Sequence, residues 1–105
     1  MQKATPIETA GPDPEGIDRI VERLKAMAEP TRLRILYQLR DDPELCVGEI
    51  TERIGCTQAN VSKHLRVLKS AGLVKRRREG MNVYYGLDCD SIFDVCTLIC
   101  RRDEA

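Results

Sequence analysis

Between Thr57 and Tyr85 the chain reads TQANVSKHLRVLKSAGLVKRRREGMNVYY, a helical pattern, a glycine stop and a strand-turn-strand pattern in unbroken succession. Few folds accept that order. Thr57 can cap a helix through its side-chain oxygen, and Val61, Leu65, Leu68 and Leu73 recur at helical spacing as an apolar stripe. Gly72 stops the helix, Leu73-Val74 opens a strand, Glu79-Gly80-Met81-Asn82 turns it, and Val83-Tyr84-Tyr85 returns as its partner. The segment therefore predicts a recognition helix followed by a basic wing. The residues expected to meet DNA are Thr57, Gln58, Asn60, Ser62, Lys63, His64, Arg66 and Lys69 on the helix. On the wing they are Arg76, Arg77, Arg78 and Asn82, side-chain types that bond base edges and phosphates.

Seventeen basic residues balance seventeen acidic ones over the whole chain, so bulk charge gives no hint of a polyanionic partner. The distribution does. Seven Lys and Arg stand against Glu79 alone between Thr57 and Tyr85, a local charge of +6 that leaves −6 on the remainder. A basic face of that kind neutralises backbone phosphates and makes binding strongly salt-dependent. Alternation along a strand also means that Arg76, Arg77 and Arg78 cannot all face the duplex.

A chain of 105 residues is one small domain of modest burial, which a second copy would help to stabilise. Residues 1–15 are polar, contain Pro and Gly, and read as a flexible N-terminal arm with no signal-peptide core; 16–105 form the DNA-binding and dimerisation domain. No apolar run is long enough for a membrane span, and five cysteines scattered over a helical chain do not suggest a secreted disulfide framework. A cytoplasmic location with no membrane partner is expected. The fold class is mainly α with a small β-hairpin (α+β), a winged helix-turn-helix.

Ahead of the reader, Ile17, Ile20, Val21, Leu24 and Met27 mark an amphipathic first helix ending near Ala28-Glu29. Pro30-Thr31-Arg32 opens a second, with Leu33, Leu36, Tyr37 and Leu39 inward, and Val47 to Ile54 forms a short third that Gly55 ends. The last helix starts near Ser91 and carries Ile92, Phe93, Cys96, Ile99 and Cys100. First and last helices offer more apolar surface than one reader needs, which predicts a homodimer whose two recognition helices meet an inverted repeat of operator DNA.

Three stretches together carry a family resemblance: Glu29-Pro30-Thr31-Arg32-Leu33-Arg34-Ile35-Leu36, then Glu44-Leu45-Cys46-Val47-Gly48-Glu49-Ile50, then Val61-Ser62-Lys63-His64-Leu65-Arg66-Val67-Leu68 with Ala71-Gly72-Leu73-Val74. From about Ile17 to Cys100 the chain resembles the ArsR/SmtB family. The resemblance implies a homodimeric repressor, not an enzyme, which needs no cofactor to bind DNA and leaves its operator when a metal, metalloid or reactive sulfur species engages it. In arsenic-responsive relatives the segment around Cys46 carries three cysteines; this chain keeps Cys46 and has Gly48 and Thr51 at the other two positions.

Cys46-Val47-Gly48-Glu49 has capping-box spacing with a thiol where a hydroxyl belongs, and a helix N-terminus favours the thiolate that holds soft ions. Cys96 and Cys100, at i and i+4, share a helical face. Cys46, Cys96 and Cys100 are thus the candidate metal ligands, three soft donors suited to As(III), Sb(III) or another thiophilic metal. The competing reading of the pair is small apolar packing. Cys56 is expected to pack, Cys89 to be an exposed turn thiol, and the lone His64 rules out a His-rich zinc site. Alternatives are a persulfide- or redox-responsive repressor using a dithiol and, in a different class, a winged-helix protein-interaction module. A thiol redox enzyme is disfavoured because no Cys-x-x-Cys occurs.

Overall fold

The computed structural model of the chain describes residues 11–104, with side chains through Arg101. Helix α1 spans Pro14–Met27, with proline in its first turn and Asp13 as cap, whose Oδ1 accepts the Gly16 N–H at 2.7 Å. The helix therefore takes in Pro14 and Glu15, which the sequence pattern gives to the arm; residues 1–10 of that arm lie outside the described residues. Helix α2, Pro30–Asp41, repeats the device: Glu29 Oε1 accepts the Arg32 N–H at 2.7 Å. A two-residue strand β1, Leu45–Cys46, leads into α3, Val47–Ile54, which Gly55 closes in the left-handed conformation at φ 81°.

Helix α4, Gln58–Ser70, is followed by β2, Val74–Glu79, β3, Asn82–Leu87, and α5, Ile92–Glu104. The three antiparallel strands lie in the order β1-β3-β2, with Leu45 opposite Tyr85, Cys46 opposite Tyr84, Arg76 opposite Tyr85 and Arg77 opposite Tyr84. Strand β1 was not legible beforehand, because two residues show no alternation; its pairing with β3 anchors the wing to the base of α3. At Gly86 a Cβ would stand 2.8 Å from the Pro43 carbonyl oxygen, so only glycine lets β3 pass this loop.

Ile35, Leu36 and Leu39 of α2, Ile50 of α3 and Val61, Leu65 and Leu68 of α4 form the core with Leu45, Leu73 and Val74. Full burial of each such side chain stabilises by about 1.5–3 kcal/mol, and it is this contact that fixes α4 on the body. Leu36 and Leu39 point inward as expected, while Leu33 and Tyr37 are half-buried at the edge and Ile35 is buried in their place. The apolar side chains of α1 and α5 behave differently. Ile17, Ile20, Val21, Leu24, Val95, Leu98 and Ile99 are 40–62% exposed, a face left uncovered within one chain. No helix among the described residues is long and apolar enough to cross a membrane.

Candidate DNA interface and thiol sites

Thr57 begins the reading helix in the expected way, its Oγ1 accepting the Asn60 N–H at 3.1 Å. With Val61, Leu65 and Leu68 buried, Thr57, Gln58, Asn60, Lys63, Arg66 and Lys69 are left exposed and Ser62 half-buried. His64 does not join them. Its side chain is 12% exposed, with Nδ1 4.0 Å from Glu29 Oε1, and Arg32 Nη1 lies 3.4 Å from the same nitrogen. The ring adjoins the apolar stripe rather than opposing it and packs against the start of α2.

In the wing, alternation separates the three arginines. Arg77 donates to both carboxylate oxygens of Glu44, at 2.8 and 2.9 Å, and to Glu79 at 3.1 Å. Its guanidinium also lies 4.9 Å from the centre of the Tyr84 ring. Those hydrogen bonds hold the Glu44 carboxyl below the usual glutamate range and raise the Arg77 pKa. Arg77 is thereby committed to its own chain. Arg76 and Arg78 point to the opposite face, Arg78 with a 3.4 Å contact to the Gly80 carbonyl and Arg76 with no ion-pair partner among the described residues. Asn82 is exposed at the wing turn.

Cys46 caps α3 without a side-chain cap hydrogen bond, whereas Glu49 Oε1 accepts its backbone N–H at 2.9 Å, which lowers the Glu49 pKa. The thiol belongs to a cleft of ≈ 270 Å³ that Gln58 of α4 and Met81, Asn82 and Val83 of the wing also line. It thus stands among the DNA-reading elements. Cys96 lies instead in an apolar recess with Leu24, Met27, Leu33 and Ile99, and its thiol, beside Tyr37, raises that tyrosine's pKa. Cys100, one turn on, is exposed.

Among the described residues no three His, Cys, Asp or Glu side chains of one chain gather as metal ligands, so Cys46 is not brought to Cys96 and Cys100 within the chain. Cys56 packs against the core as expected. Cys89 does too, half-buried with Sγ 3.6 Å from Ser91 Oγ, rather than exposed in a turn. The sequence reading missed Arg32 and Glu29 as partners of the reading helix; their position beside Pro30, at the start of α2, was the available signal.

Residues 29–76 match the model of the bacterial regulatory proteins of the arsR family. The chain is 38% identical over 86 residues to an HTH-type transcriptional regulator of Methanocaldococcus jannaschii, a match covering 81% of this chain and 96% of that protein. The chain belongs to the ArsR family. It is also 40% identical over 73 residues to a cadmium resistance transcriptional regulatory protein CadC homolog of Staphylococcus aureus, covering 70% of this chain and 60% of the relative. Among solved structures, the homodimeric winged helix-turn-helix DNA-binding domain of a possible ArsR-family regulator of Mycobacterium bovis superposes with a TM-score of 0.73. That alignment is 29% identical and covers 99% of this chain and 91% of the other. ArsR-family regulators bind operator DNA and form homodimers, so this chain is a DNA-binding transcriptional regulator and not an enzyme. The uncovered face of α1 and α5 is the surface such a dimer requires.

Proposed function

We propose that this chain is a transcriptional repressor that leaves its operator when trivalent arsenic or antimony, or another thiophilic metal, binds its cysteine thiolates. The observation that carries the reading is the placement of Cys96 and Cys100 one helical turn apart on α5, with Cys96 against α1 in the apolar surface that a second copy covers. An ion held there acts on the arrangement of the two subunits, and through them on the spacing of the two recognition helices. Coupling of about 1–3 kcal/mol weakens operator affinity roughly 5- to 150-fold.

A three-coordinate metalloid needs a third thiolate. Cys46 of the same chain lies elsewhere, among the reading elements, so a three-thiolate site requires the second subunit. The likeness to a cadmium-resistance regulator supports a soft-metal effector, although the chain spans 60% of that relative's length. A second reading rests on the same pair: two thiols on one face suffice for a persulfide- or redox-responsive switch.

Fluorescence anisotropy of the reduced protein on DNA from its own upstream region, titrated separately with arsenite, antimonite, cadmium and a persulfide donor, tests both. Release by metalloid or metal, abolished in Cys96→Ser and Cys100→Ser, supports the first reading, and loss in Cys46→Ser adds the third ligand. Release by the persulfide donor alone transfers the assignment to the second. If all three serine variants still release DNA with arsenite, the thiolate site is abandoned.

A further inference from the structure

Helices α1 and α4 do not close on each other along their length: a cleft of ≈ 310 Å³ separates them, lined by Glu22 and Lys25 on one side and Arg66 and Val67 on the other. Two guanidinium groups cross between the elements. Arg32, in the first turn of α2, donates from Nε to the Ala26 carbonyl at 2.7 Å and from Nη2 to the Lys25 carbonyl at 3.3 Å. Those carbonyls end α1, where a helix presents acceptors and the negative end of its dipole. The third arm, Nη1, stands 3.4 Å from His64 Nδ1. Farther along, Arg23 of α1 donates from Nε to the Ala71 carbonyl, at the C-terminal cap of α4, at 3.3 Å.

We propose that Arg32 and Arg23 are positioning residues for operator recognition, struts that fix the recognition helix to α1 at two points, His64 and Ala71. The buried stripe of Val61, Leu65 and Leu68 holds α4 in the core, and the two struts, about two turns apart along α4, tie it to α1 as well. Because α1 carries four of the seven residues of the uncovered apolar face, its attachment to α4 sets how each reading surface stands relative to the two-fold of the dimer. Arg32 can only donate, so His64 Nδ1 must accept and the ring proton sits on Nε2. Glu29 Oε1, which caps α2 by accepting the Arg32 N–H, lies 4.0 Å from the same Nδ1 and so fixes the start of α2 beside the ring. Gly72, whose φ of 79° suits glycine, turns the chain out of α4 beside Arg23.

The inference rests on operator binding but not on the thiol effector. It is tested on the full chain, without effector, by operator affinity together with dimer state and thermal midpoint. His64→Leu, which removes the acceptor, is expected to weaken operator binding about fivefold to tenfold with the dimer intact, within the usual range of coupling between sites. His64→Gln, which supplies an acceptor oxygen, is expected to restore affinity to within about twofold of the parent. Arg23→Gln should match the His64→Leu loss. Adding His64→Leu to Arg32→Lys should cost little more than Arg32→Lys alone, because the arginine change already breaks the contact with His64. The 15N spectrum of the folded protein should show His64 protonated at Nε2 and accepting at Nδ1.

Multiplying losses in the double variant would mean that His64 acts independently of Arg32 and would overturn the proposal, as would parental affinity in His64→Leu or a proton on Nδ1. Should Arg32→Lys fail to fold, the comparison of His64→Leu, His64→Gln and Arg23→Gln still decides. A parent protein that binds no upstream duplex would instead refute the operator reading.

Discussion

A basic wing looks uniform in sequence and is not. Arg77 spends its charge on Glu44 and Glu79, whereas Arg76 on the opposite face has no ion-pair partner among the described residues. Arg76→Ala should therefore lower affinity for every duplex and reduce the slope of log K against log salt by about 1. Arg77→Ala should change that slope by less than half as much; equal slopes would show that Glu44 releases Arg77 on DNA. The same ion pair has an acid signature. Glu44, held by Arg77, and Glu49, held by the Cys46 N–H, have lowered pKa values in the folded chain. Their contribution to stability is present above the unfolded glutamate pKa of about 4.3 and is lost as pH falls through the lower folded values. A 13C titration should place both carboxyls below free glutamate, and a normal value for Glu44 would mean the wing pair does not persist in solution. Charge counting could reveal neither residue's commitment, because Glu44 and Arg77 are 33 positions apart and meet only through the sheet.

At the scale of elements, the helix-wing order was legible because each boundary carries its own chemistry: Thr57 caps, Gly72 stops, and Gly80 turns the hairpin with φ 62°. Two features escaped. Strand β1 depends on its partner β3 rather than on a pattern of its own, and the polarity of His64 gives no sign of its contacts with Glu29 and Arg32 at the start of α2. The β1 to β3 contact makes Gly86 a sensitive position. Gly86→Ala should cost about 1–3 kcal/mol by driving a methyl against the Pro43 carbonyl, and denaturant melts would show it as a lower midpoint. An unchanged midpoint would mean the loop before β1 yields freely. Cys46 illustrates the same limit for the site: its capping position was readable, but its place between Gln58 and the wing was a product of tertiary folding.

For the whole molecule, the amphipathic pattern of α1 and α5 anticipated an apolar surface beyond the core, and the fold leaves that surface bare. Leu98→Glu, on the exposed part of this face, should give a folded monomer by sedimentation and reduce operator affinity by more than tenfold, since a single reader engages one half-site. A dimer that survives this change would place the two-fold elsewhere. The division of charge belongs to this scale too: +6 on the reader and −6 on the remainder orient the molecule toward a duplex while its total charge stays at zero.

That bare face also ties regulation to gene dosage. While most chains are single, the paired species grows with the square of their abundance, so halving synthesis leaves about a quarter of the pairs. A fourfold drop in chains per cell then removes about sixteen-fold of the assembled form, a change as large as many chemical signals deliver. The promoter it governs would answer to the rate at which this protein is made and diluted by growth as well as to any effector.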